Sequence, residues 1–441
     1  MSPNGSLLLP RYLLPIRPAE TVLRDHAVRV VDGRIDAVLP AGEARERFPD
    51  DERVSLDRHA LLPGLVNAHT HSPMALLRGY ADDLALDDWL RKHIWPAEQR
   101  WVSERFVADG TRLAFAEMLR GGVTAFNEMY FFPEVMADVA VETGLRAMLG
   151  APIIDVPTPW ASGIDDCLAK SRDLVERVAD LDLVEAALAP HAPYTVDEPG
   201  LEAVAALSRD TGTRVNMHVL EAAWEVDHSR REYGKGPLER LQDHGLLGPE
   251  FMAVHMVHLQ DDDVRRMADS GAHVIHCPES NLKLANGVCP VPGLTAAGVN
   301  VAIGTDGAAS NNNLDLLGEA RTAALLAKGF SRDPRALDAW QALDLLTING
   351  ARALGWDSRV GTIEAGKRAD LCAVDLSHPE TQPIHHVHSQ VVYSAASRQV
   401  SDVWVDGARL LRDGALTTLD LEAVLASAEH WNRKMEEDPP A

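Results

Sequence analysis

The middle of the chain repeats one pattern of apolar and polar positions: an amphipathic helical stretch, a glycine able to close it, then a short apolar run ending in polar residues. Apolar runs end at Val66–His71, Val123–Met129, Arg146–Pro152 and Val184–His191, then at Arg214–His218, Phe251–His255, His273–Cys277 and Val299–Asp306. Gly122, Gly144, Gly212, Gly271 and Gly298 stand just before such runs, where a helix C-terminus favours a left-handed residue. Strands alternating with helices predict a parallel sheet, and eight such units predict a (β/α)8 TIM-like barrel. The ends of the chain read differently. Val30–Ile35 and Val405–Leu410 each carry an Asp-Gly turn between strand-forming residues, and Gly361–Val374 adds a turn and a strand. Neither end suffices for a sheet of its own, so a small β-sandwich domain built from both chain termini is expected. The expected division is 1–60 with 362–441 for the β domain and 61–361 for the barrel, with a short helix and a frayed acidic end from Leu421 onward.

Composition narrows the partners. The 441 residues can bury a large core, and a formal net charge of −24 opposes nucleic acid and anionic membranes. Cys167, Cys277, Cys289 and Cys372 form no C-x-x-C pair, as expected of a reduced cytoplasmic protein. The proline-broken Leu7–Pro15 stretch is too short for a signal peptide, and no apolar run reaches membrane-spanning length.

In a parallel barrel the C-terminal ends of the strands converge on one mouth. His69 and His71 stand two residues apart at the first strand end, where alternate side chains share a side. The other strand ends bring His191, His218 with Glu221 just beyond, His255 and Asp306. Any one of these alone reads as a core or surface residue; together they read as a site. His69, His71, His218 and Asp306 form a donor set suited to Zn²⁺ or another first-row ion, which would bring the pKa of bound water down towards about 7. Two-metal barrel hydrolases usually carry a bridging carboxylate, often a modified lysine on strand four. That strand here ends Ala-Pro-His-Ala-Pro, so one ion per chain is expected. Asp306 is then placed to take a proton from water, His255 to bond the nucleophile, and Glu221 to shuttle a proton.

The run Pro63–His71 with His218–Glu221, His276–Asn281, Gly304–Asn312 and Gly361–Asp370 resembles the amidohydrolase superfamily, in its cytosine-deaminase and chlorohydrolase branch. Within that branch the chain most resembles the 5-methylthioadenosine/S-adenosylhomocysteine deaminases. The resemblance implies His69, His71, His218 and Asp306 as zinc ligands, Glu221 as proton shuttle and His255 as the polarising histidine. It further implies that Glu98 binds a nucleoside ribose and that His191 contacts substrate. Trp89, Trp95 and Trp101 are candidates for an apolar lid, while Asn281 and Ser310 line the site without a defined role. Some S-adenosylhomocysteine deaminases carry arginines after strand three to pair with the substrate carboxylate; Gly150–Gly163 has no basic residue and places Asp155 there. The expected activity is hydrolytic deamination of an adenine nucleoside, 5′-methylthioadenosine before S-adenosylhomocysteine or adenosine, by a homo-oligomer. The rival readings are a free-base deaminase or triazine chlorohydrolase, and an inactive barrel serving as a binding module.

Overall fold

A computed structural model of the chain describes residues 5–438. The repeated pattern gives eight strands, Leu65–Thr70, Val123–Met129, Arg146–Ile153, Val184–Pro190, Arg214–Val219, Phe251–His255, His273–His276 and Asn300–Ile303, hydrogen-bonded in that order. Pairings such as Met217 with Ala253 and Val254 with Ile275 are parallel. These strands are almost wholly buried, as expected of a parallel sheet covered on both faces. All five glycines ahead of the strands have positive φ, from 69° to 89°. The sheet curls into a (β/α)8 barrel in which the segment after the last strand reaches the first: the Asp306 N–H donates to the His69 carbonyl at 3.1 Å.

The eighth strand stops at Ile303, three residues short of Asp306. After the Gly304 N–H bonds the His276 carbonyl, the backbone turns, and Asp306 takes a left-handed φ of 60° that no β ladder accommodates. His71 and His191 each lie one residue past their strand, and Glu221 two past its own.

The chain divides into two compact units. One comprises the chain up to Asn67 with Ala116–Ala125 and Asp315–Leu419; the other comprises Ala68–Phe115, Phe126–Leu314 and the chain from Asp420 onward. The first unit holds a nine-stranded mixed sheet drawn from both ends of the sequence. Ser6–Leu13 runs parallel to Glu52–Pro63, which pairs antiparallel with Leu371–Asp375 from the far end of the chain. Both Asp-Gly turns form hairpins with positive φ at both residues, 47° and 75° at Asp32-Gly33, 50° and 77° at Asp406-Gly407. Alternation along Ser6–Leu13 sends Leu7 and Leu9 into one apolar cluster and Leu8 into another, and the register shift between Pro10 and Tyr12 turns Leu13 to the side of Leu8.

The second unit holds the barrel mouth and every residue singled out above as a site candidate. It also holds a helix longer than the short one expected, Leu421–Glu437, whose first turn is capped by the Asp420 carboxylate. Trp431 of that helix meets Phe106 edge to face and donates from its indole to Asp109 at 2.9 Å. Among the described residues no helix is long and apolar enough to cross a membrane.

Candidate metal centre and active site

His69, His71, His218 and Asp306 meet at the barrel mouth, with one donor atom of each within 4.8 Å of all the others. Asp306 Oδ1 lies 3.1 Å from His71 Nε2 and 3.6 Å from His69 Nε2, and the Nε2 atoms of His69 and His218 are 3.1 Å apart. A tetrahedral zinc site with bonds of roughly 2.0–2.2 Å spaces its donors by about 3.3 Å, close to these three spacings. Hydrogen bonds at the opposite ring nitrogens fix the tautomers. His71 Nδ1 donates to the Met129 carbonyl at 2.5 Å and His218 Nδ1 to the His191 carbonyl at 2.9 Å, which turns both Nε2 lone pairs inward. Asn216 lies 3.4 Å from His69 Nδ1 and its buried Oδ1 has no partner; with the amide turned to present that oxygen, it accepts the Nδ1 proton of His69. Converging lone pairs in a buried space call for a cation, and the residues present fit one zinc ion. Among the described residues this is the one cluster of its kind.

Electrostatics agree with that fit. Burial would raise the Asp306 carboxyl, but hydrogen bonds with His69 and His71 hold it well below the usual range. Burial works against a proton on His71, yet Asp306 raises it to about 9, whereas burial lowers His69 to about 4. A cation bound beside Asp306 and His71 would take the place of the attraction that raises His71. Asp306 Oδ2 accepts from Ser280 at 2.6 Å and Ser310 at 2.8 Å, and Oδ1 from the Gly307 N–H, so every lone-pair direction away from the centre is occupied. The fully buried Glu128 takes the Ser72 and Met129 N–H groups and fastens the turn that carries His71.

Two catalytic candidates lie beside the donors. His255 Nε2 is 3.6 Å from Glu221 Oε2, while its Nδ1 bonds Asn281 Oδ1 at 2.9 Å. Burial, reinforced by Asp306, pushes the Glu221 carboxyl up to about 8, and Asn286 donates to its Oε1 at 2.8 Å. Above them opens a cavity of about 520 Å³ lined by His71, His191, His218, Glu221, His255 and Asp306, with Glu98 on its wall. Burial raises Glu98 to about 7. His191 packs edge to face on His218 at 5.0 Å. The outer wall is apolar and includes Trp89, Trp95, Ile154 and Val156. Trp101 is not part of it: its ring is buried against Tyr80 at 5.6 Å, so of the three tryptophans two face the cavity. Reasoning from sequence overlooked Glu128, Glu225, Ser280 and Asn286. Only Glu128, an acid at the end of an apolar strand, carried the signal used for the others.

A curled parallel barrel with three imidazoles and an aspartate converging at its strand ends defines a metal-dependent hydrolase. Residues 60–410 match the amidohydrolase family, and the chain belongs to that family. It is 43% identical over 424 residues to a 5-methylthioadenosine/S-adenosylhomocysteine deaminase of Teredinibacter turnerae, covering 96% of each chain. It is 42% identical to a 5′-deoxyadenosine deaminase of Methanothermobacter thermautotrophicus, over 92% of this chain and 94% of that one. An adenosine deaminase from Xanthomonas campestris, solved with bound zinc, superimposes with a TM-score of 0.97 at 50% identity, covering 99% of each chain.

Proposed function

We propose that this protein removes the 6-amino group of an adenine nucleoside by hydrolysis, giving the inosine derivative and ammonia, with 5′-methylthioadenosine as the favoured substrate. The observation that carries this reading is the pairing, in one cavity, of the four-donor centre with two further buried carboxylates, Glu221 beside it and Glu98 on the wall. A zinc ion held by His69, His71, His218 and Asp306 supplies the Lewis acidity that makes water nucleophilic near neutral pH. Water adds to the ring carbon bearing the amine. Asp306 accepts a proton from that water, and its serine partners keep the carboxylate in place. Glu221 carries a proton to the adjacent ring nitrogen, a task suited to a carboxyl with a raised pKa. His255 orients the attacking water, and its own ring is set by Asn281. Glu98 holds the ribose hydroxyls and His191 contacts the nucleoside; Asp306 passes the proton it took from water to the amine, ammonia leaves as the carbonyl forms, and the hydroxyl proton returns to Glu221.

The choice of 5′ substituent rests on the outer wall. Trp89, Trp95, Ile154 and Val156 suit an uncharged thioether. The loop after strand three offers Asp155 and no cation, and Arg91, the basic residue that does line the cavity, is held by Asp87 at 2.6 Å. An amino-acid tail would find Asp155 and no arginine in that loop, and at Arg91 only an exposed cation already shared with Asp87. The protein acts in the cytoplasm on this reading, consistent with four buried free cysteines. The test is ammonia release from 5′-methylthioadenosine, S-adenosylhomocysteine, adenosine and free bases. The highest kcat/KM is expected for 5′-methylthioadenosine; equal or reversed efficiencies for S-adenosylhomocysteine overturn the tail assignment, and preference for a free base overturns the nucleoside reading.

A further inference from the structure

Glu225 is 2% exposed, carries a carboxylate, and has no part in the chemistry above. Its oxygens accept three consecutive backbone N–H groups: Leu220 on Oε2 at 3.1 Å, and Glu221 and Ala222 on Oε1 at 2.9 and 2.8 Å. Those residues form the turn that lifts Glu221 off the end of strand five. The turn is strained at Leu220, a buried non-glycine residue with a left-handed φ of 55°. Three N–H groups directed at one buried carboxylate make a closed anchor, and leaving them unsatisfied is costly.

The anchor belongs to a larger circuit that returns to Glu221. The Leu220 carbonyl accepts the Val257 and His258 N–H groups, both at 2.9 Å. His258 Nε2 donates to the Asn286 carbonyl at 2.7 Å, and the Asn286 amide donates to Glu221 Oε1 at 2.8 Å. The backbone of Glu221 is thus held from below by Glu225, and its carboxylate from the side by Asn286. These restraints leave Oε2 directed at His255. We infer that Glu225 is a positioning residue that sets the place of the Glu221 carboxylate over the substrate ring by fixing the strained turn at Leu220–Ala222.

This inference rests on Glu221 as the proton carrier, so the experiment measures both. In Glu225→Gln one oxygen becomes an amide that faces N–H donors; at least one bond is lost and the side-chain volume is kept. Expected are close to one zinc per chain, KM within about 3-fold of the wild type and kcat lower by roughly 10- to 100-fold, as for a misplaced catalytic group. A helix-capping role alone would lower thermal stability and leave kcat unchanged. The deciding measurement is a double-mutant cycle. In a Glu221→Gln background Glu225→Gln is expected to slow turnover by no more than about 2-fold, because there is no carboxylate left to position. Independent, multiplicative losses overturn the proposal, as does wild-type kcat in the single variant. If Glu225→Gln does not fold, Glu225→Asp, which draws the same charge back by one methylene, is read by the same criteria. Loss of zinc in every folded variant, or the absence of any folded one, overturns the proposal by making Glu225 part of the scaffold. Wild-type turnover by Glu221→Gln alone overturns the proton-carrier reading instead.

Discussion

Gly304 stands at the closure of the barrel, and giving it a single methyl group tests the metal centre from behind. A Cβ built there falls 2.8 Å from three atoms of His69, its N, O and Cβ, where ordinary contact begins near 3.4 Å. None of these atoms is the far end of a flexible side chain. The Gly304→Ala variant must therefore displace the first strand or the segment leading to Asp306 by about half an ångström, against zinc-ligand distances that tolerate roughly 0.2 Å. Overpacking of this kind costs about 1–3 kcal/mol in stability, and the displacement falls on His69 and on the Asp306 N–H bond to its carbonyl. We expect the variant to fold, to melt several degrees lower, to lose zinc to a weak chelator that leaves the wild type loaded, and to recover activity only in excess zinc. Gly293→Ala is the control, since its Cβ would meet nothing within 4 Å. The assays are metal content by atomic emission, thermal unfolding and ammonia release. Wild-type zinc retention and rate in Gly304→Ala would refute the argument that close approach at this glycine sets the position of His69.

Three other outcomes are expected. Purified protein should hold about one divalent ion per chain, and His69→Ala or Asp306→Ala should abolish activity; a requirement for two ions measured by metal titration would contradict the four-donor site. Glu221→Gln should keep its zinc and lose roughly 100-fold or more in turnover, whereas loss of the ion would make that carboxylate a ligand. At the β sheet, Arg29 donates to Asp51 at 2.6 Å between side chains that are each 5% exposed, and this bond holds the Asp51 carboxyl below its usual 3.8. A depressed folded pKa contributes stability that is complete above the unfolded value and lost as pH falls through the folded one. Thermal melts should therefore show Asp51→Asn less stable than the wild type at pH 6, with the gap closing below pH 4; a gap independent of pH would show that the charge is not what the wild type gains.

The barrel and its donors were legible because two regularities coincide: strands written as continuous apolar runs, and polar residues placed where those runs end. His69, His218 and His255 needed nothing more. Asp306 was found as one of the converging donors but at a misplaced strand end, because a left-handed aspartate in Gly-Thr-Asp-Gly carries no mark of its conformation in sequence. Asn286 was invisible for a different reason. It reaches Glu221 across 65 residues, and nothing in its own surroundings distinguishes it from a loop asparagine. Glu225 looked like an ordinary acid in the first turn of a helix, and its three backbone partners belong to the turn before that helix. Trp101 shows the converse error, since an aromatic residue close in sequence to Glu98 turned into the packing beneath the mouth.

The backbone contact between Asp306 and the first strand has a consequence for assembly. Thr70 and Asp306 are 236 residues apart, yet the Thr70 hydroxyl donates to the Asp306 carbonyl at 3.1 Å beside the His69–Asp306 backbone bond. The imidazoles of the first and fifth strands precede the carboxylate by the length of the remaining barrel. A growing chain thus displays three neutral nitrogens long before it owns the anion that completes the cage. The four-donor cage exists only where the first strand meets the segment after the eighth, so an ion bound there would clasp that seam.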